Sequence, residues 1–138
     1  MREGVAKTYF ESGKIKEETK YKQGELHGER KSYFESGQVR EEQEYKNGKQ
    51  VGKFKEFYES GQLKVEATFK DGKAQGVLKT YYQDGKLEGE AQMDNGDIVG
   101  IAKHYDKNGQ LDEVEEYDSG RKLRRICRGV DECRSYTD

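Results

Sequence analysis

Residues 4–27 read GVAKTYFESGKIKEETKYKQGELH, and residues 28–51 read GERKSYFESGQVREEQEYKNGKQV. The second stretch repeats the chemistry of the first, and the step of 24 residues continues through three more copies. Glycine recurs at 4, 28, 52, 76 and 100, at 13, 37, 61, 85 and 109, and at 24, 48, 72, 96 and 120. Fifteen of the seventeen glycines thus fall on three phases of one period, the mark of a repeat architecture. Aromatic residues keep step at Tyr9, Tyr33, Phe57, Tyr81 and Tyr105, and aliphatic ones at Ile15, Val39, Leu63, Leu87 and Leu111. A third series runs Tyr21, Tyr45, Phe69, Met93 and Tyr117.

Each copy reads as two strands. Ser12-Gly13 and its counterparts form one turn, and Gln23-Gly24 and its counterparts form the other. Such dipeptides permit the positive φ that tight hairpins need. The stretches between them alternate and are rich in Tyr, Phe, Thr and Val, and no proline interrupts them. Strands of about 9 and 11 residues are predicted, giving an antiparallel meander of about ten strands. A helical solenoid is excluded, because glycine would interrupt each helix every dozen residues.

Composition agrees with a thin structure. Leu, Ile, Val and Phe number 23 of 138 residues, while charged residues make up 39%. That is too little apolar material for a thick two-layer core, yet ten Tyr and five Phe with a net charge of −2 do not suit a disordered chain. The fold class expected is therefore all-β: an elongated single-layer antiparallel meander of five 24-residue hairpin repeats, with no helices of note.

The pattern Tyr9-Phe10-Glu11-Ser12-Gly13-Lys14-Ile15 followed by Tyr21-Lys22-Gln23-Gly24-Glu25-Leu26-His27-Gly28 resembles a MORN repeat, in its bacterial variant form. It returns as Tyr33-Phe34-Glu35-Ser36-Gly37-Gln38-Val39 with Tyr45-Lys46-Asn47-Gly48, and the resemblance covers residues 4–123. It implies a twisted, mostly single-layer sheet and a non-catalytic role in scaffolding or partner binding. Some members of that family are linked to membranes or phosphoinositide-pathway proteins, and many bacterial ones carry an antitoxin label.

If both turns are two-residue hairpins, the register follows by arithmetic. Phe10 then opposes Ile15, Phe34 opposes Val39 and Tyr58 opposes Leu63 on one apolar face. On that face Gly28 opposes Tyr45, Gly52 opposes Phe69 and Gly76 opposes Met93, so that a large side chain lies over bare backbone. These positions, Gly28, Gly52, Gly76, Tyr45 and Phe69, are expected to be structural. The other face carries Lys7, Lys31, Lys55, Lys79 and Lys103, with Glu18, Glu42, Glu66 and Glu90 opposite the first four. Such pairing neutralises the lysines and pins the register. Tyr9, Tyr33 and Phe57 are expected to meet Lys16, Arg40 and Lys64 in cation–π contacts.

The last copy departs from the pattern. Asp106 replaces an aromatic, Val114 replaces a glutamate, and Asp112 to Asp118 is mostly acidic. Arg121 to Arg128 carries five positive charges, so a closing hairpin of offset charges is expected to cap the array. The array is placed at residues 1–123 and a C-terminal capping strand and tail at 124–138, with 129–138 expected to be loose. Cys127 and Cys133 are read as free thiols in a reducing compartment, a small disulfide loop being the other option.

Chemistry of other kinds lacks support. His27 and His104 sit on different phases without a second ligand at metal spacing, so no metal or other cofactor is expected. No glycine-rich phosphate loop precedes a helix. The regularity leaves no irregular desolvated site, so an enzyme is not expected. The near-neutral charge gives no field for nucleic acid. The N-terminus lacks an apolar signal segment, which points to the cytoplasm unless a leader was removed upstream. The leading expectation is a module that binds a protein partner through Tyr9, Tyr33, Phe57, Tyr81 and Tyr105 with Lys31, Lys55 and Lys79 beside them. A peripheral membrane module for anionic lipid head groups is the second, and an antitoxin or immunity-type inhibitor the third. Homodimerisation through the apolar face would also cover that surface.

Overall fold

A computed structural model describes residues 3–137. The positions 1, 2 and 138 included in the expected array and tail lie outside the described residues. Twelve strands form one antiparallel sheet: β1 (Gly4–Tyr9), β2 (Ile15–Lys22), β3 (Glu25–Tyr33), β4 (Val39–Lys46), β5 (Lys49–Phe57), β6 (Leu63–Lys70), β7 (Lys73–Ala74), β8 (Gly76–Tyr81), β9 (Leu87–Asp94), β10 (Asp97–Tyr105), β11 (Leu111–Asp118) and β12 (Arg121–Arg128). Neighbours in sequence are neighbours in the sheet, apart from β7, a two-residue piece that pairs only with β6. The sheet does not close, and a short helix α1 (Val130–Cys133) follows β12.

The second turn of each repeat forms as expected. Gln23, Asn47, Asp71, Asn95 and Ser119 have φ near 50°, and the glycine after each is also positive, the signature of a type I′ hairpin. Lys22 pairs with Glu25 and Tyr21 with Leu26 across it.

The first turn does not. Phe10 N–H donates to the Lys14 carbonyl (2.8 Å) and Gly13 N–H to the Phe10 carbonyl (2.9 Å), enclosing a three-residue loop with Gly13 at φ 91°. That loop brings a β-bulge. Lys7 pairs with Glu18 and Thr8 with Glu17, but Tyr9 pairs with Ile15, leaving Lys16 as the extra residue. Every copy repeats this break, so Tyr33 pairs with Val39, Phe57 with Leu63, Tyr81 with Leu87 and Tyr105 with Leu111. The expected pairing of Phe10 with Ile15, Phe34 with Val39 and Tyr58 with Leu63 is therefore corrected. A one-residue shift moves side chains to the other face, and the aliphatic series joins the lysines rather than Phe10. The longer loop also shortens most strands to eight or nine residues.

A second irregularity explains the third glycine series. Between the pairs Tyr21–Leu26 and Thr19–Arg30, β3 holds two more residues than β2, and Gly28 sits there at φ 99°. Gly4, Gly52, Gly76 and Gly100 share the positive φ. Gly28 does face Tyr45 and Gly52 does face Phe69. Yet a Cβ added at Gly4, Gly76 or Gly100 would touch nothing within 4 Å. The glycines serve a positive-φ backbone, which in the repeats after the first sits at this bulge, and not room for a ring.

The core is small and lies at the C-terminal end. Val114, Cys127 and Cys133 are buried together, with Ile101, Leu111, Ile126 and Tyr136 packed against them. The expected loose tail is corrected: Gly129 N–H donates to the Asp112 carbonyl (2.6 Å), and α1 packs on β11 and β12. A disulfide joins Cys127 to Cys133, against the expected free thiols.

Candidate functional site

The register places the lysines and glutamates in one row across the sheet. Lys7 faces Glu18, which on its other side faces Lys31. Lys31 faces Glu42, and Glu42 faces Lys55. Lys55 faces Glu66, Glu66 faces Lys79, Lys79 faces Glu90, and Glu90 faces Lys103. Within-hairpin pairing was expected; the pairing between hairpins makes the alternation continuous. Lys31 Nζ lies 3.4 Å from Glu29 and 3.7 Å from Glu42, and the nearby negative charge, Glu29 foremost, raises its pKa. The register thus sets a glutamate beside each lysine of the row, and Lys31 is held in ion pairs with Glu29 and Glu42.

The aromatic series lies on this same face, two residues along each odd-numbered strand or its equivalent. Tyr33 donates its hydroxyl to Glu18 Oε1 (3.0 Å), and partial burial together with that acceptor keeps the phenol protonated above its usual range. Tyr105 donates to Glu90 (3.5 Å). Phe57 keeps the shape without the hydroxyl. With the shifted aliphatics, each repeat offers an aromatic–aliphatic pair: Tyr33–Val39, Phe57–Leu63 and Tyr81–Leu87 in the middle of the array. The charged row and these pairs form what is called here the ladder face. Side chains of Tyr33, Phe57, Tyr81 and Tyr105 are half-buried, and Tyr9 is 57% exposed.

The expected cation–π partners are corrected by the bulge. Lys16 sits over Phe10 (6.0 Å), Arg40 over Phe34 (5.9 Å) and Lys64 over Tyr58 (5.5 Å), all on the opposite face. An extra residue in the strand re-aims these cations away from Tyr9, Tyr33 and Phe57. The opposite face also carries Phe54 edge-on to Phe69 (6.1 Å) and buried Ala67.

At its C-terminal end the ladder face is covered. Lys103 pairs with Val114, and Val114 with Cys127, so the row passes from charge into the buried cluster. The disulfide carries α1 onto this side, and Lys103 Nζ stands 5.6 Å from the centre of the Tyr136 ring.

The MORN repeat variant family model matches residues 2–23, 26–47, 50–71, 74–95 and 98–119. The chain belongs to the MORN repeat variant family. Five consecutive matches place the whole meander up to β11 within the array, and they end before β12 and α1. Members of this family are generally non-catalytic repeat scaffolds. No curated protein matches the chain.

Within this MORN array, the residues singled out from sequence divide cleanly. Tyr9, Tyr33, Phe57, Tyr81 and Tyr105 share the ladder face with Lys31, Lys55 and Lys79. Gly28, Gly52, Gly76, Tyr45 and Phe69 lie at the second bulge and its partners. Sequence reasoning missed the aliphatic partners and the covering segment with Tyr136. The signal for the latter was Val114, an apolar residue in a series of glutamates. Among the described residues, no group of three or more His, Cys, Asp and Glu is placed to hold a metal. His104 instead meets Asp112 (2.6 Å).

Proposed function

We propose that this MORN array is a scaffold that binds a partner protein through its ladder face, with Phe57–Leu63 and Tyr81–Leu87 as central anchors. One observation carries the proposal: the chain's own segment 129–137 already docks on that face. It does so with a short helix, apolar side chains against Leu111 and Val114, and an aromatic ring against Lys103. A partner segment of similar character would meet the same aromatic–aliphatic pairs in repeats 2 to 4. Aromatic anchors in a ring of near-neutral polar contacts are the common form of a protein hot spot. The alternating lysines and glutamates argue for a protein partner over a polyanion, because Lys31, Lys55 and Lys79 each have a glutamate on both sides. The scaffold needs no cofactor or metal for this role. The disulfide supports work in an oxidising compartment, in place of the cytoplasm expected from the N-terminus.

The test is affinity capture from native lysate beside sedimentation with anionic vesicles. Capture of one stoichiometric protein, lost on Phe57→Ala and retained on Phe54→Ala, supports the proposal. Retention by vesicles alone, abolished by salt, contradicts it and assigns the face to lipid head groups.

A further inference from the structure

The two outer edges of the sheet differ. β12 is broken twice in its register against β11 and carries Arg121, Lys122, Arg124, Arg125 and Arg128. Bulges and like charge are devices that stop a strand from recruiting another. β1 runs unbroken against β2 from Gly4 to Thr8, and no described residue pairs on its outer side. It also carries two of the most exposed large apolar side chains, Val5 at 52% and Tyr9 at 57%.

The array itself shows what such an edge accepts. Lys31, Lys55 and Lys79 each have a glutamate on both sides. The glutamate on the preceding strand does two jobs: Glu18 faces Lys31 and accepts the Tyr33 hydroxyl, while Glu90 faces Lys103 and accepts the Tyr105 hydroxyl. Among the described residues, Lys7 has only Glu18, on its inner side. The position that would serve both Lys7 and Tyr9 from outside lies on no described strand.

We infer that the outer edge of β1 accepts an antiparallel acidic strand of a partner protein, with a glutamate seated between Lys7 and Tyr9. Backbone hydrogen bonds supply the attachment and the carboxylate sets the register. A second copy of this chain does not fit. Its β12 presents five cations, which would stand against Lys7, and its β1 offers no glutamate to seat between Lys7 and Tyr9. This site is separate from the ladder face and does not rest on the function proposed for it.

The test is an NMR titration of the isotope-labelled full chain with a synthetic peptide of the β9 sequence, LEGEAQMD, which flanks Lys103 in the array. A second peptide, LEGKAQMD, carries the charge reversal E90K. Shifts at the amides of residues 4–9 are expected with the first peptide, with binding at least about tenfold weaker for the second. A Lys7→Glu chain should reverse the preference. A Tyr9→Phe chain, which keeps the fold, should bind the first peptide several-fold more weakly. Absence of β1 shifts at millimolar peptide, equal binding of both peptides, or shifts confined to β12 or to repeats 2 to 4 would overturn the inference.

Discussion

Gln23 holds a φ of 53° at a position where three other repeats use Asn or Asp. Asn tolerates the left-handed region better, because its short side chain can bond locally. Gln23→Asn should therefore raise stability by about 0.5 kcal/mol, read as a higher urea midpoint with unchanged slope. Gly76 tests the opposite case. It sits at φ 84°, and an added Cβ would meet no atom within 4 Å. Gly76→Ala should cost about 1–2 kcal/mol from backbone strain alone. A neutral result would mean that the bulge relaxes. The spacing of these glycines was legible from the sequence, but the cause was not. A glycine opposite Tyr45 suggests room for a ring, and only the dihedral angle at Gly28 shows that the bulge is what requires it.

At the scale of the hairpin, a single loop residue decided which side chains share a face. Ser12-Gly13 suits a two-residue turn and equally the end of a three-residue loop. Local sequence does not separate them, although everything beyond the loop depends on the choice. The lysine–glutamate register survived because it lies on the far side of the bulge. The aliphatic series lies on the near side and changed faces. Repeats 3 and 4 are stitched to the next copy by Tyr58 donating to the Tyr81 carbonyl and Tyr82 to the Tyr105 carbonyl, both at 2.7 Å. Phe10 and Phe34 lack this bond. Tyr82→Phe should cost about 0.5–1.5 kcal/mol in urea unfolding, with no change in fold. The closing hairpin has its own pH window. Lys122 donates to Glu115 Oε2 (2.9 Å), chiefly through which the carboxyl falls below its usual range and the lysine rises above its own. The glutamate contribution is present above the unfolded carboxylate value of about 4.3 and is lost as pH falls through the lowered one. The lysine contribution is present below about 10.4 and is lost as pH rises through the raised one. The thermal midpoint of this hairpin should stay level between about pH 5 and 10 and fall on both sides.

Few of the described residues are buried, and the one cluster of them, Val114, Cys127 and Cys133, lies under the C-terminal segment. Charge pairing of the last hairpin was legible in the sequence and is seen in Lys122–Glu115, Arg124–Glu116 and Arg125–Glu113. The folded tail was not, because a six-residue separation between two cysteines says nothing about what a helix covers. Val114 and Cys127 declare it only once the register makes them neighbours. Reducing the disulfide should lower the stability of this end by about 2 kcal/mol and raise hydrogen exchange in β11 and β12, leaving β3 to β6 unchanged. Scaffolding by one face is the claim on which the function rests. The direct measurement is photo-crosslinking in native lysate, with a benzophenone amino acid placed singly at Phe57 on the ladder face and at Leu78 on the opposite one. A discrete protein adduct from position 57 and none from position 78 is expected. An adduct from position 78 alone would show that the scaffold binds through the other face and contradict the proposal.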